Sequence, residues 1–149
     1  MKKTSGLLAV AVIMVSFLIS CGDKVDPISE RVAKVWIPRL VLENSAVVYS
    51  AGGSGNVKPA YSSYRLNLSS PPQASLTDVD GQTYSGTYSV DGETKLTISG
   101  LTPEPTGTGG TLVFTINSLP DDASELEITL NGAYPKTGNT TNKYTLIPQ

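Results

Sequence analysis

Between about Val32 and Ile147 segment after segment places apolar side chains at every second position, with threonine, serine, asparagine or charged residues between them. Leu112, Phe114 and Ile116 alternate with Val113, Thr115 and Asn117, and Leu126, Ile128 and Leu130 with Glu127 and Thr129. The same rhythm runs through Tyr64, Leu66 and Leu68, through Tyr84, Tyr88 and Val90, through Leu96 and Ile98, and through Tyr144 and Leu146. Successive side chains on a strand point to opposite faces, so a period of two buries one face and wets the other. No helical period persists. The chain is therefore all-β, made of half-buried antiparallel strands.

Turn chemistry orders these strands. Asp80-Gly81 and Asp91-Gly92 tolerate the positive φ of tight two-residue hairpins, which predicts a meander of strands 75–80, 82–90 and 93–99. If each link joins antiparallel neighbours, successive links fall at alternate ends of the sheet. The long, Gly-rich links at 43–60, 100–110 and 132–142 then share one end, and the shorter ones near 70–74, 91–92 and 119–124 share the other. This reads as an antiparallel up-and-down meander closing into an eight-stranded barrel, open at its long-loop end. The alternative is an immunoglobulin-like β-sandwich, which needs long crossings between two sheets. Strand one is expected at Val32 to Leu42. Pro38 inside it cannot donate a ladder hydrogen bond, which predicts a bulge or an edge there. Trp36, with Leu40 and Leu42 at the same parity, is expected in the core near the closed end.

Composition removes whole classes of chemistry. The 149 residues contain no histidine and one cysteine, Cys21, so histidine-based triads and zinc sites are excluded and no disulfide forms within the chain. The acidic residues fall mostly in turns and at outward strand positions, which argues against a paired-carboxylate hydrolase; the expectation is a protein that is not an enzyme and carries no metal or cofactor. Thirteen acidic residues against eleven basic ones leave no electrostatic footprint for nucleic acid.

Several local motifs have plain structural readings. Asp78-Val79-Asp80-Gly81 begins like a calcium loop, but Gln82 and Thr83 follow and no closing glutamate completes the oxygen set; it reads as a hairpin turn. Asp121-Asp122 after Pro120 reads as a solvated turn. Gly52-Gly53-Ser54-Gly55 and Gly107-Thr108-Gly109-Gly110 lack the following helix that a phosphate cradle requires, and read as flexible loops. Tyr84, Gly86 and Tyr88 form a more suggestive set. A missing side chain between two tyrosines on one barrel face either opens a small cavity with phenolic handles or relieves strand curvature. The candidate cavity-lining residues are Trp36, Leu66, Tyr84, Gly86, Tyr88, Leu96, Phe114 and Leu126.

The N-terminus carries an address. Lys2 and Lys3 precede an apolar run from Leu7 to Ile19. As a helix rising about 1.5 Å per residue, that run is too short for a hydrocarbon layer roughly 30 Å thick, so it reads as a signal segment. Its ending, Leu18-Ile19-Ser20-Cys21, resembles the lipobox of bacterial lipoproteins. The resemblance implies a signal peptide over 1–20, acylation of Cys21 by diacylglycerol and palmitate, and a lipid-anchored protein of the cell envelope. Gly22 rather than an aspartate directly follows Cys21, which in the enteric pattern points to the outer membrane. Residues 21–30 are expected to be a flexible tether, and 31–149 a single β-barrel domain.

Trp36 early in the first strand, the eight-strand meander and the final strand Asn142-Lys143-Tyr144-Thr145-Leu146 together resemble the lipocalin-like lipoproteins. Lys34 stands where true lipocalins carry a glycine. What the resemblance implies is binding of a small apolar or amphipathic ligand at the loop-rich end. The reading from a different class is a structural or protein-interaction accessory module of an envelope complex. In the eight-strand arrangement the tether joins the short-looped end, so the open rim faces away from the membrane.

Overall fold

Nine antiparallel strands carry the period-two pattern in the computed structural model, which describes residues 24–149. The signal segment and Cys21 lie outside the described residues. The strands are β1 (Val35–Glu43), β2 (Ala46–Ser50), β3 (Arg65–Ser70), β4 (Gln73–Thr77) and β5 (Thr83–Asp91), followed by β6 (Lys95–Thr102), β7 (Leu112–Ser118), β8 (Leu126–Leu130) and β9 (Asn142–Pro148). From β3 to β9 each pairs with its sequence neighbour, and β1 pairs with β9, so the sheet shuts on itself. β2 and β3 share one edge of β1, β2 opposite Leu40–Glu43 and β3 opposite Val35–Trp36. The result is an eight-stave closed barrel with one extra strand. Closure excludes the sandwich.

The interrupted stave has a local cause in Pro38. Pro38 has no N–H to give, and the β1–β9 register shifts between Pro38 and Leu40. On the other edge of β1, Ala51 donates its N–H to Arg39 O at 2.9 Å, and the chain then leaves the sheet until Arg65. The bulge inserts one residue, which flips every side chain beyond it. Trp36 and Pro38 point inward, but so do Val41 and Glu43. Leu40 and Leu42, expected inside with Trp36, are only half-buried.

Elsewhere the alternation translates directly. Leu66, Leu68, Leu96, Ile98, Phe114, Leu126, Ile128, Tyr144 and Leu146 are all buried, each full burial of a Leu or Phe side chain contributing about 1.5–3 kcal/mol. Outward positions such as Arg65, Asn67, Ser85, Thr87 and Ser89 are exposed and polar, the reverse of the apolar outer band of a membrane-spanning barrel. The β4–β5 and β5–β6 hairpins are looser than two residues. Pairing ends at Thr77–Thr83 and Asp91–Lys95, with Gly81 and Gly92 at positive φ in the loops.

At the end of the 21–30 segment expected to be tether, and running into the first residue expected in the domain, Ile28–Arg31 form one helical turn, α1, after Pro27. Arg31 anchors it at the short-loop end: Nη1 donates to Leu119 O at 2.8 Å and Nε to Asp26 O at 3.0 Å. Trp36 Nε1 donates to Val32 O at 2.8 Å, binding the incoming chain to the first stave.

Candidate functional site

The two ends of the barrel interior differ in chemistry. Near α1 the lining is aliphatic around Trp36. At the long-loop end it is polar and rich in tyrosine, because Glu43 closes β1, Asn142 opens β9 and Asp78 follows β4, all three buried. Tyr61, from the 3-10 turn Pro59–Ser63, is fully enclosed, and its hydroxyl donates to Glu43 Oε1 at 2.8 Å. Lys58 pairs with the same carboxylate at 2.6 Å. Tyr64 stacks on Tyr144 with centroids 5.0 Å apart and planes 19° apart, and Phe114 meets Tyr144 edge-on at 6.3 Å.

The β8–β9 loop, residues 131–141, crosses this end as a strap. Tyr134 turns inward and is 2 % exposed. Its hydroxyl donates to the Asp78 carboxylate. Lys136, its side chain largely buried, bonds the Asp80 carboxylate and the Tyr84 hydroxyl and lies 3.6 Å from Asp78. Thr137 and Thr140 of the strap and Asn142 and Tyr144 of β9 form a chain of hydrogen bonds. Gly107 approaches so closely that a Cβ there would sit 2.8 Å from Pro135, so the β6–β7 loop braces the strap from outside.

Burial and charge set the ionisation of these groups. Burial first, then neighbouring hydroxyls and carboxylates, push Tyr61, Tyr64 and Tyr134 well above the ordinary tyrosine value. Burial also raises Tyr144, although the amide of Asn142 opposes it. For Asp80 burial works upward, but hydrogen bonds from Lys136 and the Gln82 N–H outweigh it and the carboxyl sits below its usual range. Lys136 is held above its ordinary value, its partners Asp80, Tyr84 and Asp78 overcoming the cost of burial. These phenols stay neutral, and the Asp80 carboxylate and the Lys136 ammonium stay charged, at neutral pH. The arrangement can bind and orient polar groups.

Of the eight residues expected to line a cavity, seven point inward: Trp36, Leu66, Tyr84, Tyr88, Leu96, Phe114 and Leu126. They meet as packed core. The polar handles of the two tyrosines are taken, Tyr84 by Lys136 and Tyr88 by donation to Leu68 O at 3.1 Å. Gly86 opens no space: a Cβ there would lie 2.4 Å from Ser99 O, so the glycine serves the close approach of β6 at a bulge. The clefts described lie on the outside. One of about 370 Å³ at the α1 end is lined by Ala33, Pro71, Pro72, Tyr88 and Val90. Another of about 200 Å³ beside the strap is lined by Gly107, Leu112, Leu130, Tyr134 and Pro135.

Sequence reasoning missed the strap. Asp78 reads as part of a hairpin turn, yet it is 1 % exposed. Glu43, expected in a loop, is enclosed at the end of a strand. Tyr134 and Lys136 sit in a segment read as a long, Gly-rich link. A tyrosine and a lysine two apart in a loop, with no strand pattern around them, are the one signal that could have drawn attention. Among the described residues no group of three or more His, Cys, Asp or Glu could hold a metal ion.

No protein-family model, no curated protein and no solved structure matches this chain.

Proposed function

We propose that this chain is a non-enzymatic cell-envelope lipoprotein, anchored through acylated Cys21 at the outer membrane, whose lipocalin-like barrel is a binding module acting at its long-loop end. The observation that carries the reading is polarity of the molecule along its axis. The incoming chain docks through Arg31 and Trp36 at the short-loop end, and the tyrosine-lined, strapped end lies opposite. An anchor at one end leaves the other turned outward. The occupant is a small amphipathic molecule taken at the rim beside Pro135, where Thr108, Thr111, Asn131 and the strap backbone supply polar contacts and Leu112 and Leu130 supply apolar ones.

A second reading, an accessory interaction module for another envelope protein, is favoured by the packed interior. A barrel filled by Trp36, Phe114, Tyr144 and their neighbours offers its loops and outer surface rather than a lumen.

Native mass spectrometry of the full lipoprotein extracted from its own envelope tests both. The expected result is a diacylglyceryl and acyl mass on Cys21, and release of the Cys21→Ser variant from the membrane fraction. An added small-molecule mass supports the ligand reading, and a stoichiometric co-purifying protein supports the module. An unprocessed, unlipidated N-terminus overturns the anchor.

A further inference from the structure

Tyr64 is the one member of the long-loop cluster whose polar atom is unsatisfied. Its side chain is 1 % exposed, its ring stacks on Tyr144, and the Tyr61 ring lies 6.2 Å away. The hydroxyl has no hydrogen-bond partner among the described residues. Buried polar groups in folded proteins are nearly always bonded, to protein or to ordered water, and a hydroxyl left bare loses its hydration for nothing.

The surroundings say what a partner must be. The Tyr64 ring packs against those of Tyr61 and Tyr144, whose hydroxyls bond the Glu43 carboxylate and the Asn142 amide, so its neighbours are the polar groups of the long-loop end. Of the two buried carboxylates there, Glu43 is paired with Lys58, and Asp78 accepts from Tyr134 and shares Lys136 with the exposed Asp80. An added anion would be stripped of water with Lys58 and Lys136 both already paired, and among the described residues no group of three or more His, Cys, Asp or Glu could hold a metal cation. An apolar molecule would leave the hydroxyl bare. The rings are closely packed, Tyr61 and Phe114 each centred 6.3 Å from Tyr144, and the strap carries Tyr134 and Thr137 over this end, both buried, so only a small group fits beside the hydroxyl.

We infer that Tyr64 Oη binds one small uncharged hydrogen-bonding group, enclosed behind the 131–141 strap and shared with the polar atoms around Tyr144 and Asp78. A phenol both donates and accepts, so a single hydroxyl or carbonyl satisfies it. That group belongs either to a trapped water, which needs two to four polar partners of the kind assembled here, or to the polar end of an amphiphile reaching in under the strap.

The test is a high-resolution crystal structure and native mass of the full chain, with Tyr64→Phe beside it. The expected result is density within hydrogen-bond distance of Tyr64 Oη in the wild type, lost in the variant, and a melting temperature several degrees lower in the variant. An isolated peak with no added mass assigns water. Continuous density with an added mass that the variant lacks assigns an amphiphile. A wild-type structure with nothing at Tyr64 Oη overturns the inference, as does a Tyr64→Phe melting temperature that is unchanged or raised, the outcome for a hydroxyl that had no partner to lose. If the variant does not fold, the wild-type density alone decides.

Discussion

Lys136 reaches across the long-loop end to hold its ammonium 4.6 Å from the centroid of the Tyr84 ring, clasping the β8–β9 loop onto the β4–β5 hairpin. The contact combines a cation over an aromatic face with pairing to Asp80 and Asp78, in a site where the lysine side chain is largely withdrawn from water. Desolvation strengthens such contacts. The polar end of the barrel is therefore closed by charge and hydrogen bonds, while the α1 end is closed by packing.

Lys136→Met removes the clasp and leaves Asp78 with Tyr134 as its remaining side-chain donor. Breaking a fully buried ion pair costs about 3–5 kcal/mol, and the exposure of Asp80 reduces this, so a loss of about 2 kcal/mol is expected in urea denaturation. Amide exchange at Tyr134, Gly138 and Asn139, whose N–H groups bond within the strap, accelerates more than exchange in β5 or β7. A midpoint equal to wild type, with an unchanged strap, refutes the assignment.

The same clasp predicts a stability plateau bounded on both sides. The Asp80 carboxyl is held below its unfolded value, so its contribution is fully present above about pH 4 and is lost as pH falls through the lower folded value. Lys136 is held above its unfolded value, so its contribution is present below about pH 10 and disappears as pH rises through the folded value. Melting temperature measured against pH should fall on both flanks. In Lys136→Met the acid flank becomes shallower, because Asp80 then titrates near its ordinary value in both states.

Buried phenols sharpen the alkaline flank. Tyr61, Tyr64, Tyr134 and Tyr144 all have folded-state values above the unfolded one, so the unfolded chain loses protons first and stability falls above about pH 10. Tyrosinate absorbance followed with circular dichroism during an alkaline titration should show these four ionising together with the loss of β-structure. Smooth ionisation of all seven tyrosines in a barrel that keeps its near-ultraviolet dichroism contradicts the packing described.

How much of this was written in the sequence depends on range. The alternation in β7 and β8 placed Phe114, Ile116, Leu126 and Ile128 on the inner face without help, because a half-buried strand imposes its period on every residue. The rule failed where one local event changed the count. Pro38 signalled the bulge, but only the paired strands reveal that Val41 and Glu43, rather than Leu40 and Leu42, turn inward beyond it. The candidate site was less legible still. Asp78 and Lys136 lie far apart in the chain, each in a stretch with no periodic pattern, and each has the composition of a solvated loop. Their meeting follows from barrel closure, which brings the ends of β4 and β8 to one rim. Tyr64 and Tyr144 were readable as core residues. That one of their hydroxyls lacks a partner required the full three-dimensional neighbourhood.

Gly86 gives the most direct test of the closed barrel. In β5 it stands opposite Ala74 of β4, and on its other side the β5–β6 register shifts between Ser85 and Thr87. An alanine there would place Cβ 2.4 Å from Ser99 O and 3.2 Å from Leu101 N, both backbone atoms that cannot swing away. Overpacking of this kind costs about 1–3 kcal/mol where side chains can yield, so Gly86→Ala should reach about 3 kcal/mol or more in urea denaturation, with exchange rising at Leu101, whose N–H bonds Gly110 O at 3.0 Å. A cavity beside Tyr84 and Tyr88 would give the opposite sign, since a methyl group filling empty space stabilises. An unchanged or increased midpoint would therefore restore the cavity and remove the packed interior that favours the interaction-module reading.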